Sequence, residues 1–547
     1  MRSLRALLLY MVLTVAFTWP LPALLHVTEA GDAGFFAWTV GWEVHALRTD
    51  PRQLPHANIF HPLRFTLFMD EPVLGTTALV LPLAPFTADG VLLFNLARLL
   101  TFVFSGLTAY WLARELGAGE AAALLAGAAF TFSPIRTDQL AHLSTLGTQW
   151  LPLTLLFLHR LARTGAVRDS LLAGLFFALS TMACGYHGVI ALAVLPPFAL
   201  VLFWRRWPRP PALAAGPLLA AALLLPLYLL HRAALGPLGF VRGSAETVLY
   251  SAGLETFFAT AARNRVWGAL TGELRGLPND LFPGLVPVVM VALAAAVLYR
   301  RRQAPSRDAV ALAVLLATAV AVALGPEVHV FGRPLFPGPF ALLRELPLFR
   351  MIRVPSRAGI FIALPLAVLL AKAVDLLPSL RGARLAAVAA LVLAETVIAP
   401  IDVPAWTRVV DTRRPPPAVD AWLAAQPPGT PIVELPLLAL DSVFEHAACH
   451  DSVYMVRSLA HFQRLANGYA GLDPPAVARL RALARTSPFP APPFLEALRA
   501  QGVRYVVVHG ACYGPNRWAR LEASLAAAPA GLGEVARFGS DRVLELR

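Results

Sequence analysis

Apolar residues in this chain come in long runs separated by short polar turns. The runs fall at roughly 4–25, 91–113, 119–134, 146–162, 169–184, 187–204, 211–231, 282–299, 308–324, 357–377 and 384–400. A bilayer core of ~30 Å takes about 20 helical residues, so these runs predict about eleven transmembrane helices. The stretch 72–88 (PVLGTTALVLPLAPFTA) is apolar but short and broken by proline. It reads as re-entrant or interfacial, because a full span there would invert every later loop. Four connectors are longer or more polar than turns require: 26–90, 135–145, 232–281 and 325–356. With an odd number of spans they all lie on one side, together with the C-terminus. Function tends to sit on such non-minimal loops held by a rigid scaffold.

After Pro400 the pattern changes. Residues 401–417 (IDVPAWTRVVDTRRPPP) read as a Pro-rich linker. Beyond it, AVDAWLAAQ predicts a short amphipathic helix and TPIVELPL a strand. PPFLEALRAQGVRYVVVHG predicts helix, glycine turn and the buried strand Tyr505 to Val508, and GEVARFGSDRVLELR a terminal hairpin. The fold class is an α-helical polytopic membrane protein with a small C-terminal α/β soluble domain. Its units are 1–400 transmembrane, 401–417 linker and 418–547 tail.

Composition agrees with that class: 57% of residues are hydrophobic and 14% charged, where a soluble domain carries roughly 25% charged. The net charge of +13 does not indicate nucleic acid. Its arginines and lysines gather in short turns: Arg2 and Arg5; Arg160, Arg163 and Arg168; Arg205, Arg206 and Arg209; Arg300 to Arg302 and Arg307; Lys372, Arg381 and Arg384. That pattern places those turns and the N-terminus in the cytoplasm and the tail outside an inner, or plasma, membrane. The first run follows two arginines and could pass for a signal peptide. It has no clear small-x-small site after it and carries Pro20 and Pro22, so it reads as an uncleaved span. Of three cysteines, Cys449 and Cys512 both fall in the tail and could pair; two unpaired buried thiols are the alternative.

Candidate chemistry collects on the external side. Asp32 follows the first span, and Trp38, Trp42 and His45 succeed it at helical spacing, which would put them on one face of an interfacial helix. The same loop holds Asn58, His61, Asp70 and Glu71. A carboxylate at a cavity mouth can serve as base or metal ligand; Asp32 reads equally as a helix cap. Arg136, Gln139 and His142 recur at i, i+3, i+6 where a span leaves the bilayer. Arg350, Arg353 and Arg357 form an external cluster that opposes the charge bias and suits a phosphate. Pairing with Glu345 or lipid headgroups is the plainer reading of that cluster. The loop 240–284 adds Glu246, Tyr250, Glu255, Glu273, Asn279 and Asp280, which could line a sugar site or form a solvated face. No Walker loop, GxSxG, HExxH or CxxC occurs.

An ordered series of short motifs carries a resemblance. It runs through Gly31-Asp32, Asn58-Ile59-Phe60-His61-Pro62, Ser105-Gly106 with Tyr110, Phe132-Ser133-Pro134-Ile135-Arg136, and Gln149-Trp150-Leu151-Pro152. It ends with Leu281 to Gly284 and Leu348 to Arg357. Over residues 1–400 the chain resembles the GT-C superfamily of membrane glycosyltransferases, in its dolichyl-phosphate-mannose-transferase-like bacterial groups. The resemblance implies inverting transfer of a sugar from a polyprenyl-phosphate donor on the external face. Asp32 maps to the family's catalytic acid, which would deprotonate the acceptor or orient a divalent cation, Mg or Mn. Many relatives carry two adjacent acids where this chain has Asp32-Ala33, so Asp70 or Glu71 is the candidate second acid or metal ligand. Arg350, Arg353 and Arg357 would bind the donor phosphate, and Trp38, Trp42, His61, Arg136, Gln139 and His142 the substrates. Acceptors could be a glycolipid, a polysaccharide or a protein. The rival classes are a transporter or flippase for a lipid-linked glycan and a non-catalytic envelope assembly protein. The chain shows no clear inverted repeat of the transporter kind.

Overall fold

A computed structural model describes residues 1–547 apart from 240–242, 275–279, 378, 405–407, 438–446 and 528–530. Asn279 and part of the linker therefore lie outside the described residues. Each apolar run carries a helix: Arg2–Phe17, Gly90–Glu115, Glu120–Thr131, Leu151–Thr164, Val167–Ala183, Gly185–Leu202, Pro210–Leu235, Leu285–Arg300, Arg307–Ala323, Ile360–Leu376 and Ala383–Glu395. Among the described residues, four helical stretches are long and apolar enough to cross a membrane by length and composition: Gly90–Glu115, Gly185–Leu202, Pro210–Leu238 and Pro355–Leu376. The first helix stops at Phe17, short of the expected 25. Pro20 and Pro22 follow, and neither can donate the hydrogen bond that would extend it. The 72–88 stretch forms only the one-turn helix Leu74–Thr77 and the 3-10 turn Leu81–Leu83.

Small residues set the helix spacing. Tyr10 fits over Gly106 and Gly127, its hydroxyl donating to the Leu124 carbonyl at 3.0 Å. Gly174 of Val167–Ala183 meets Gly216 of Pro210–Leu235 so closely that a Cβ on Gly174 would sit 2.1 Å from the Gly216 oxygen. Such contacts let helix backbones approach where lipid removes the hydrophobic drive to pack. Gly90–Glu115 is central, whereas Pro210–Leu238 is mostly exposed and turns Leu218 and Leu229 outward. That is the pattern of a helix facing lipid.

The two ends of the central helix differ. At the Glu115 end the basic turns converge. Glu115 pairs with Arg160 at 2.7 Å and with Arg163, Asp375 accepts from the Gly119 amide at 2.8 Å, and His159 lies 3.3 Å from Asp308. At the Gly90 end lies the first long loop. Its helix Asp32–Thr49 is buried between Gly90–Glu115 and the tail helix Asp451–Ser458. The interfacial face expected for Trp38, Trp42 and His45 is thus covered. Trp38 Nε1 donates to Asn58 at 3.0 Å, Trp42 Nε1 to the Leu54 carbonyl at 3.0 Å, and His45 stacks on Phe462 at 3.6 Å.

The tail holds a five-stranded mixed sheet in the order Arg464–Leu465, Pro431–Leu435, Tyr505–His509, Asp541–Leu546, Leu532–Phe538. The first two pairings are parallel and the last two antiparallel. Helices Ala418–Ala424 and Pro492–Ala500 form where amphipathic spacing predicts them. Cys449 and Cys512 are joined in a disulfide. The sheet is tied to the membrane part by backbone: the Leu465 amide donates to Asn58 at 2.9 Å, and His61 donates back to Leu465 at 2.8 Å. Within the linker, Arg408–Asp411 pairs antiparallel with Val27–Glu29.

Candidate active site

Asp32 is the first residue of its helix, after Gly31 with φ 77°. That left-handed backbone favours glycine, and the Gly31 amide donates to Ser452 Oγ at 2.8 Å. The turn therefore aims Asp32 outward from the helix's positive end, where a carboxylate is favoured. Its Oδ1 accepts from the Tyr469 hydroxyl at 2.8 Å and its Oδ2 from His142 Nε2 at 3.0 Å. Burial pushes the Asp32 carboxyl upward, but the His142 and Tyr469 hydrogen bonds and the charge of Arg357 outweigh it and hold it below the usual range.

Asp32 lines a cavity of about 1520 Å³ whose wall also carries Asp70, Glu71, His142, Arg232, Arg350, Arg353, Arg357 and Tyr469. Arg357 lies 3.5 Å from Glu71 Oε2 and 4.2 Å above the Tyr186 ring. Burial raises the Glu71 carboxyl, with Arg357 opposing it. Arg353 is 3.5 Å from Glu246 and 5.1 Å over the Tyr250 ring; Arg350 is 3.6 Å from Glu345. Asp70 accepts from the Gly471 amide of the tail. Beneath this loop, fully buried Glu43 accepts from Val73 N at 2.8 Å and from the Thr77 hydroxyl, anchoring the segment after Glu71. Burial pushes the Glu43 carboxyl up to about 7.

The charged residues of the cavity stand only at this end. The cavity continues as an apolar groove between Val167–Ala183, Gly185–Leu202 and Pro210–Leu235, past Phe177, Leu192, Leu195 and Leu224. Along Gly185–Leu202 it touches Gly185, Gly188, Leu192, Leu195, Ala199 and then Phe203, one face of that helix. At 1.5 Å per residue those positions span ~27 Å, close to the thickness of a bilayer core. A second cavity of about 120 Å³ adjoins it, sharing His142, Arg353 and Arg357 and reaching Asp138, Gln139, Tyr250 and Asp280.

The expected substrate residues divide. His142 faces both cavities and Gln139 the small one. Arg136 points inward instead, because its helix lasts one turn, Pro134–Thr137, and the i, i+3, i+6 face does not persist. It donates to the Thr131 carbonyl, to Leu146 O at 3.0 Å and to Ser105 at 3.2 Å, between the rings of Phe102 and Phe130. Arg136 thus shapes the loop that presents His142. Trp38, Trp42 and His61 line neither cavity and serve the seam with the tail. Tyr469, Gly471, Tyr186 and the groove helices were not singled out from the sequence. Among the described residues no group of three or more His, Cys, Asp or Glu side chains is placed to hold a metal ion, so no step is derived through one.

A family described as a domain of unknown function, DUF6311, matches residues 7–399. The chain belongs to that family. No curated protein matches it in sequence. Among solved structures it is similar to arabinofuranosyltransferase AftD from Mycobacteria, at 16% identity and a TM-score of 0.59, over 100% of this chain and 40% of that one. It is also similar to the oligosaccharyltransferase AglB from Archaeoglobus fulgidus, solved with an inhibitory peptide and a dolichol-phosphate. There the identity is 12% and the TM-score 0.50, over 93% of this chain and 69% of that one. The protein spans less than half of the arabinofuranosyltransferase chain. It is a membrane protein with the GT-C fold.

Proposed function

We propose that the protein transfers a sugar from a polyprenyl-phosphate donor to an acceptor hydroxyl, with inversion, at the external face of the inner membrane. One observation carries this reading. A carboxylate and three arginines stand at the head of an apolar groove about as long as a bilayer core is thick. A polyprenyl chain suits the groove, and a phosphate suits the arginines. The AglB neighbour, solved with a dolichol-phosphate, supports a lipid-linked phosphate as the kind of donor.

The chemistry follows from the geometry. The acceptor oxygen attacks the anomeric carbon, and its bond to the phosphate oxygen breaks. The phosphate leaves with the bonding pair, and Arg353 and Arg357 neutralise the charge it gains. As the new bond forms, the hydroxyl becomes acidic enough for Asp32 to take its proton. His142 and Tyr469 orient that carboxylate. Mg or Mn enters this reading only as a companion of the donor phosphate, and assays with chelator, with and without added cation, report on it. The acceptor is a glycolipid, a polysaccharide or a protein that reaches the site along the tail. The basic turns at the Glu115 end and the oxidised cysteine pair support a cytoplasmic N-terminus and an external tail.

The test uses protein in lipid nanodiscs with a set of undecaprenyl-phosphate sugars and crude envelope extract as acceptor. Mass spectrometry follows free undecaprenyl phosphate. Asp32→Asn is expected to slow release by ~10²-fold or more. Undiminished release from that variant would remove Asp32 from the mechanism. Binding without release from every donor would favour a carrier of lipid-linked glycans.

A further inference from the structure

Between the helices Arg307–Ala323 and Ile360–Leu376 the chain forms a β-hairpin that lines neither cavity. Strand Glu327–Val330 rests on the body of the protein through the buried side chain of Val328. Its partner Arg333–Pro337 is exposed along its whole length, so both of its faces are open. The side chains there are nonetheless apolar. Phe331 at the tip is 62% exposed and Phe336 58%, and Leu335, Leu342 and Leu346 are exposed with them. We propose that this hairpin docks on the membrane, with Phe331 and Phe336 seated among the lipids of the leaflet at the cavity's mouth. The proposal does not depend on the function given above.

The turn shows that the tip needs a partner. Phe331 and Gly332 both have positive φ, 46° and 74°. A two-residue hairpin loop of that kind favours Asn-Gly, because a bulky side chain strains the left-handed backbone. Phe331 is therefore costly in conformation and in exposed apolar surface, and a contact outside this chain would offset both. A two-stranded hairpin is also marginally stable by itself in water. Position identifies the partner. The hairpin begins just past Ala323, where its apolar helix ends, and the Gly338 amide closes its base on the Pro326 carbonyl at 2.8 Å. Beyond it the same segment gives Pro347, Leu348 and Met351 to the wall of the main cavity. The exposed patch is thus continuous with the mouth of the groove. Aromatic rings are at home at a bilayer interface, and Arg333 beside the tip suits lipid phosphates. A protein partner adding a strand fits poorly, since Pro334 and Pro337 have no amide proton to offer it. The open edge still carries carbonyls that hydrocarbon would leave unsatisfied, so the hairpin lies at the interface and not in the bilayer core.

The experiment places a nitroxide on the full-length protein in lipid nanodiscs. Cys184 is buried and Cys449 is paired with Cys512, so an introduced cysteine takes the label. The label goes at Phe331→Cys or Phe336→Cys, with Val535→Cys on an exposed strand of the tail as the aqueous control. Molecular oxygen concentrates in the bilayer, whereas a nickel chelate stays in water. The oxygen-to-nickel accessibility ratio at 331 and 336 is expected to exceed that at 535 several-fold. A ratio equal to that at 535 would put the hairpin in water. A label shielded from both reagents would put it against protein, a second copy of this chain included. Either result overturns the proposal. Phe331→Asn keeps the turn, because Asn adopts this backbone readily. It should shift the label at 336 toward the nickel reagent without lowering Tm. An unchanged ratio at 336 in that variant would overturn Phe331 as the anchor.

Discussion

Asp32 shows how one side chain reads its surroundings. Partial burial would favour its neutral form, but two hydrogen-bond donors and a nearby arginine keep it charged. A carboxyl held low is fully ionised above its ordinary range, and its stabilising contribution is lost only as pH falls through the depressed value. Tyr469 is a positioning residue in this scheme. Tyr469→Phe removes one donor, so the Asp32 carboxyl rises and the acid limb of the kcat/KM profile should move to higher pH. A variant that merely loosened packing would lower kcat without moving that limb. Asp32 stood out in the sequence because it follows an apolar run. Tyr469 lies 437 residues away and carries no local signal of its role. Arg136 illustrates the reverse: it looked like a ligand by type and spacing, yet buried carbonyls and two aromatic rings hold its terminal nitrogens inside the protein.

Elements place these residues through contacts between small groups. The groove exists because Val167–Ala183 and Pro210–Leu235 approach at Gly174 and Gly216, where Ser170 Oγ also accepts from the Gly216 amide at 2.8 Å. Gly174→Leu should force the helices apart, costing about 1–3 kcal/mol, with a lower Tm and weaker binding of undecaprenyl phosphate. The short segment after Glu71 depends on Glu43 in the same way. An acid raised to about 7 by burial binds its proton more tightly in the folded state. Stability therefore falls as pH rises from the ordinary carboxyl range through 7. Glu43→Gln should raise Tm at pH 8 relative to wild type and flatten the pH dependence; an unchanged pH profile would show that Glu43 does not titrate there.

At the scale of the whole molecule the tail is part of the site. It supplies Tyr469 to Asp32 and the Gly471 amide to Asp70. The loop that carries them is held from behind: Arg481 lies 2.7 Å from Asp451 and 3.0 Å from Asp473, and donates to the Gly468 carbonyl at 3.0 Å. These charges are nearly dry, so Arg481→Leu should be strongly destabilising, by about 3–5 kcal/mol, read as a fall in Tm. The tail's side of the membrane is open to a direct test. In spheroplasts an impermeant maleimide should label Cys449 and Cys512 only after reduction. Labelling that requires lysis would put the tail in the cytoplasm.

The sequence by itself determined the class of this protein. Apolar runs, basic turns and a late change to alternating strands follow from local physical rules, and a helix formed in each apolar run. It also picked out Asp32, His142 and the Arg353–Arg357 cluster, because charge beside an apolar run is costly and therefore informative. Tertiary structure decided the rest. Which carboxylate gains a tyrosine, which arginine turns inward, and where three helices part to leave a groove depend on residues hundreds of positions apart. No local pattern encodes those meetings, since they arise only when the tail covers the first loop and small residues set the distances between helices.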